Sequence, residues 1–176
     1  AKEGAFIRIK KSQQPEKPIQ LIFFTTEHGQ EVMTQPRNLI VLEENAEAII
    51  TERHQSLSAH PVLTNSATEI FAERASRLHY YKIQNDNAQA SLIDNTSVKQ
   101  SAQSNVRIGT FSFGNRFVRN NLNIFLTEEH TETHLDGITV IDQRQMVDHH
   151  TLVDHKVPNC YSNELYKGIY DDQSHG

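Results

Sequence analysis

Ten histidines in 176 residues put metal chemistry first among the possibilities. Asp148-His149-His150 and Asp154-His155 each set a carboxylate beside an imidazole, a pairing that can orient a ligating nitrogen. If these residues lie in regular strand, His149 and His150 point to opposite faces and cannot serve one ion together. The expectation is therefore a hydrogen-bonded stack of His149, His150 and His155 within a sheet wall, with metal ligation as the alternative. His130 and His134 have the i, i+4 spacing of a zinc-binding helix, but Glu-Glu-His-Thr-Glu-Thr-His has no apolar helical face. As strand residues the two would stand about 13 Å apart, too far for one ion with ligand bonds of about 2 Å. Exposed histidines are the expectation there.

Cys160 is the single cysteine, so no internal disulfide can form. A lone thiolate is soft enough for iron, a cluster edge or a persulfide if it is accessible. The simpler expectation is a buried small hydrophobe. Asp136, Asp142, Asp148 and Asp154 recur every six residues, which would suit paired-carboxylate glycoside chemistry only if two shared one groove with sugar-stacking aromatics. Trp is absent, and turns account for Asp136 and Asp142. No Walker-type glycine loop or Gly-x-Ser-x-Gly elbow occurs, so the catalytic assignment is none.

The elements that must position these residues read as strands. Alternating or β-branched runs cover Ala5 to Lys10, Ile19 to Thr25, Asn38 to Glu43, Ala46 to Thr51, Tyr80 to Gln84, Gln89 to Asp94, Asn105 to Ser112, Asn121 to Leu126 and Gly137 to Asp142. Between them stand turn formers at Glu27-His28-Gly29, Asn85-Asp86-Asn87, Asp94-Asn95, Gly114-Asn115 and Asp136-Gly137. One stretch, Ser66 to Arg77, has helical propensity. The class is all-β. Asp136-Gly137 is the one tight hairpin signal, which favours stacked parallel coils over a sandwich. Asn120, Asn121 and Asn123 add the prospect of asparagine ladders between coils.

With 17 Lys and Arg against 22 Asp and Glu, the net charge of −5 disfavours a nucleic-acid or anionic-membrane surface. No apolar run approaches the roughly 20 residues of a membrane helix. The single cysteine and the lack of a secretory leader point to the cytoplasm.

Several blocks, in order, carry a resemblance. Pro36-Arg37-Asn38-Leu39-Ile40-Val41-Leu42-Glu43-Glu44-Asn45-Ala46-Glu47-Ala48 is one, and Arg116-Phe117-Val118-Arg119-Asn120-Asn121-Leu122-Asn123 is another. Gly137, Asp148-His149-His150-Thr151 and Asp154-His155 follow, then Cys160-Tyr161-Ser162-Asn163-Glu164-Leu165-Tyr166-Lys167-Gly168-Ile169. Together they resemble the core of the SufB/SufD family of iron-sulfur cluster assembly proteins.

The resemblance implies a flattened right-handed parallel β-helix with about two strands per coil. It implies a non-enzymatic scaffold subunit in a SufBCD complex, beside a SufB-type β-helix subunit and a SufC-type ABC ATPase, with homodimerisation as another option. Residues 1–176 would be a single core-domain fragment, lacking the family's helical flanks. No resident cofactor is expected in this segment; a transient iron-sulfur cluster, and any flavin, would belong to the complex. The family hands over no matched ligand set, so Cys160, His149, His150 and His155 stay candidates on their chemistry alone. A carbohydrate-active β-helix and a cupin-like metal barrel are the other readings.

Overall fold

The computed structural model describes residues 3–176 as thirteen strands in two parallel sheets, with no helix among the described residues. One sheet holds β1 (Phe6–Ile9), β3 (Val32–Thr34), β4 (Arg37–Leu42), β6 (Val62–Ala72), β8 (Ala90–Gln100), β10 (Phe117–Leu126) and β12 (Met146–His155). The other holds β2 (Ile19–Thr25), β5 (Glu47–Ser56), β7 (Arg77–Gln84), β9 (Asn105–Ser112), β11 (Glu132–Ile141) and β13 (Tyr161–Tyr170). The chain alternates between sheets, and each strand bonds the strand one coil away, as β8 to β10 to β12 and β9 to β11 to β13. This is a flattened parallel β-helix with two strands per coil. Residues stacked vertically are a coil apart in sequence: Asn95 and Asn121 differ by 26 positions, and Arg119 and Asp148 by 29.

One corner of every coil is built the same way. Ser12, Asn45, Ala75, Gln103, His130 and Asn159 all have φ between 56° and 61°, the left-handed region. Five of them donate a backbone N–H to the next coil: Ser12 to Glu44 O, Asn45 to Arg74 O, Ala75 to Ala102 O, Gln103 to Glu129 O and His130 to Asn159 O, all at 2.9–3.1 Å. Within single coils, Ala46 N to Glu43 O and Ser76 N to Glu73 O close tight turns with the positive φ at the third residue, the type II pattern. Of these six, Asn45, His130 and Asn159 are of the residue types enriched in this region.

Alternation decides what fills the lumen. Ile40, Leu42, Ile50, Ile70, Leu78, Val98, Val106, Ile108, Ile124 and Leu126 form an aliphatic column beside the left-handed corner. Leu92, Val118, Ile141 and Val147 form a smaller one on the opposite side. Each fully buried Ile or Leu contributes about 1.5–3 kcal/mol by leaving water. Polar side chains lie between these columns.

The structure corrects several expectations. Ser66 to Arg77 is not helical: β6 runs to Ala72, a turn follows, and β7 starts at Arg77. Ser66, Thr68, Ile70 and Ala72 point inward in strict alternation, and β6 is bonded on both edges by β4 and β8. Two flanking ladders outweigh local propensity. Asp94-Asn95 lies inside β8 and Asp136-Gly137 inside β11, so neither is a turn. The parallel solenoid also replaces the cupin-like barrel, whose convergent histidines would need a closed antiparallel wall. Of the expected asparagine ladder, Asn121 Nδ2 donates to Asn95 Oδ1 (2.9 Å) and Asn95 Nδ2 to Asn65 Oδ1 (3.2 Å) on the outer face. Asn120 turns into the lumen.

Candidate functional site: a polar column inside the solenoid

Glu52 has the strand parity of Ala48 and Ile50 and therefore enters the lumen, where it is 2% exposed. Its Oε2 accepts from Asn38 Nδ2 (3.2 Å) and from the Tyr80 hydroxyl, and its Oε1 meets His54 Nε2 at 3.0 Å. Lys82, its register partner on the next coil, donates Nζ to Asp94 Oδ2 (2.5 Å) and to Thr96 Oγ1. Asp94 Oδ1 accepts from Ser66 Oγ at 3.1 Å. Burial alone would raise the Glu52 carboxyl, but the hydrogen bond and charge of His54, the Lys82 ammonium and the Tyr80 hydroxyl outweigh it and hold it at about 2. Burial and the two carboxylates push the Tyr80 phenol well above its usual value. The result is a buried ion cluster that is satisfied by its own members.

The column continues through neutral groups. Gln84 and Asn120 exchange amide hydrogen bonds at 2.6 and 3.1 Å, and Ser112 Oγ donates to Gln84 Oε1 at 2.7 Å. Asn120 Nδ2 also faces His149 Nδ1 at 3.3 Å, and His149 Nε2 faces Thr139 Oγ1 at 3.1 Å. Because Asn120 presents its amide N–H, Nδ1 accepts, and the proton of neutral His149 sits on Nε2, which donates to Thr139. The ring packs against Tyr166, centroids 4.8 Å apart. Burial lowers the imidazole pKa; Asp148 pulls it upward, and the Lys82 ammonium lowers it further. His149 is thus held as a neutral, two-bonded wall residue.

The other residues singled out by sequence are dispersed. His150 is exposed on the outer face, opposite to His149, as strand parity requires. His155 is exposed and its Nε2 lies 2.9 Å from Ser162 Oγ. The adjacent aspartates do not orient these imidazoles: Asp148 pairs with Arg119, and Asp154 with Lys156 at 3.6 Å. Cys160 packs partly buried against the aliphatic column, its Sγ 3.4 Å from Glu128 O. His130 sits at a left-handed corner and His134 in β11, where Nε2 meets Glu132 Oε1 at 2.6 Å. Asp136 faces Arg107 at 3.6 Å in the sheet opposite to that of Asp148 and Asp154, so these carboxylates share no groove. Among the described residues no group of three or more His, Cys, Asp or Glu is placed to hold a metal ion. Glu52, Lys82 and Asp94 escaped the sequence reading, although their parity with Ile50, Tyr80 and Leu92 marks them as inward.

Fold and interior together define a class: a parallel β-helix whose buried polar groups bind one another across coils. Comparison with known proteins names the family. The model of the SUF system FeS cluster assembly, SufBD core domain, matches residues 23–176, and the chain belongs to the SufBD family. It is 28% identical over 178 residues to an iron-sulfur cluster assembly SufBD family protein of Synechocystis sp., covering 97% of this chain and 39% of that protein. It is 24% identical over 175 residues to iron-sulfur cluster assembly protein SufD of Escherichia coli, covering 98% and 41%. A chloroplastic Arabidopsis thaliana protein, ABCI7, is 26% identical over 162 residues, covering 88% and 34%. The chain spans about two-fifths or less of the length of these relatives. No helix among the described residues is long and apolar enough to cross a membrane.

Proposed function

We propose that this chain is the β-helical wall of a non-enzymatic scaffold subunit, on which iron and sulfur, the cargo, are brought together within a SufBCD-type complex. The observation that carries the reading is the family match over residues 23–176, laid on a solenoid whose strands are bonded coil to coil through both sheets. Such a wall deforms little along its hydrogen-bond ladders and can hold a partner's ligands in register. Energy for rearrangement would come from a separate ABC-type ATPase, and the second wall from a SufB-type β-helix subunit or a second copy of this one. The transient cluster, and any flavin, would belong to the assembled complex in the cytoplasm. His149 serves the wall in this reading, and Cys160, His150 and His155 are the side chains left to test for contact with cargo.

The test is affinity purification of the full-length protein from its own cells, followed by native mass spectrometry. Recovery with an ATPase and a second β-helix subunit is the expected result. Recovery without either partner overturns the scaffold reading.

A further inference from the structure

A concavity of about 880 Å³ opens on the other corner of the solenoid, where Gln143 and Asp172 also have positive φ. Arg116, Arg144, Gln89, Gln143, Gln173 and Asp172 line it. It crosses several stacked coils tied by backbone bonds: Arg116 N to Ala90 O (2.8 Å), Met146 N to Arg116 O (3.2 Å) and Gln173 N to Gln143 O (2.9 Å). Its walls are therefore fixed by the solenoid ladder itself.

What sets it apart is that two arginines without an ion pair share it. Four arginines elsewhere are ion-paired: Arg8 with Glu43, Arg77 with Glu47, Arg107 with Asp136 and Arg119 with Asp148. Arg37 donates to the carbonyls of Pro36 and Asn65, Arg53 donates to Gln55 Oε1, and Arg74 lies beside Glu44. Among the described residues Arg116 and Arg144 form no ion pair, Arg144 using only Nε, on Gln173 Oε1 at 3.2 Å. Asp172 lies in the same lining and forms no ion pair with either. Two guanidinium groups without counter-ions, in a chain of net charge −5, share one concavity with glutamine amides.

We propose that this cavity binds a small oxyanionic ligand, carrying phosphate or carboxylate groups, through Arg116 and Arg144. A planar guanidinium presents paired N–H donors that match either oxyanion, and neighbouring amides supply further donors without adding charge. The volume lies within the roughly 300–1,000 Å³ of small-molecule sites.

The test is calorimetric titration of the full-length protein with inorganic phosphate, pyrophosphate and citrate, at low and high salt. Saturable binding of at least one probe is expected. Arg116→Gln or Arg144→Gln should weaken it about tenfold or more, and the double variant should abolish it. Arg77→Gln, which removes an equal charge elsewhere on the solenoid, should leave it unchanged. Preference for pyrophosphate over citrate assigns the ligand to the phosphates, and the reverse assigns it to the carboxylates. No saturation by any probe up to about 10 mM overturns the proposal, as does wild-type affinity in the double variant or an equal loss in Arg77→Gln.

Discussion

The ring of Tyr166 occupies the space that a side chain at Gly137 would fill. The two are register partners on β13 and β11, and a Cβ on Gly137 would fall inside contact distance of Tyr166 Cδ1 and Cε1. The phenol reaches down to Thr110, the residue paired with Gly137 on the other side, and burial pushes its pKa up. Gly137 is therefore glycine for space, since its φ does not lie in the left-handed region. Gly137→Ala should cost about 1–3 kcal/mol through displacement of the ring. Urea unfolding of the full-length protein checks this, and adding Tyr166→Leu should recover much of the loss; equal loss in single and double variants would rule out the steric account.

Lys82 is the one cation directly bonded to Asp94 and neighbouring Glu52 in the lumen. Removing it leaves the buried Asp94 carboxylate without a counter-ion, so Lys82→Met should destabilise by about 3–5 kcal/mol. The triple variant Lys82→Met, Glu52→Gln, Asp94→Asn should be markedly more stable than the single one. If the two unfold at the same denaturant concentration, the cluster is not electrostatically coupled.

His149 gives a pH dependence whose sign can be worked out. Its folded pKa lies below the ordinary imidazole value of 6.5, because burial disfavours the imidazolium. Between the folded pKa and about 6.5 the unfolded chain binds more protons, so stability rises with pH across that window and is lost on acidification through it. His149→Gln should flatten this part of the curve. Unfolding free energies of both proteins from pH 5 to 7.5 decide the matter: parallel curves would contradict the assignment of a neutral, buried His149.

Ala75 holds φ 56° at a corner that its neighbours on the ladder share. A Cβ in this region costs about 1 kcal/mol, more than the entropy glycine adds to the unfolded chain. Ala75→Gly should raise stability by up to about 1 kcal/mol, read as a higher denaturation midpoint at an unchanged slope. A lowered midpoint would show that the Ala75 methyl contributes packing that outweighs its backbone strain.

The sequence made the strands legible wherever alternation was clean: β2 and β9 fall on the residues expected, and β4, β5 and β7 overlap theirs. It failed at β6, where Glu69, Ala72 and Glu73 carry helical propensity that only the flanking strands override. β12 and β13 were missed because their inward positions include His149, Thr151, Glu164 and Tyr166 rather than aliphatics. The site was legible by half. Parity alone separates His149 from His150, whereas Asn120, Thr139 and Tyr166 come to His149 from other strands and other coils. Without a repeated motif, one sequence does not say which residues stack.

The vertical spacing of 26 to 33 residues between register partners has a kinetic meaning. Almost nothing in this architecture is rewarded locally, because a strand gains its ladder only after the chain has travelled once around the coil. The first closed coil must therefore bear the loop-closure entropy before any sheet forms, and each later coil finds a template already in place. Assembly of such a wall is a nucleation followed by winding, and its ends are the turns that unwind first.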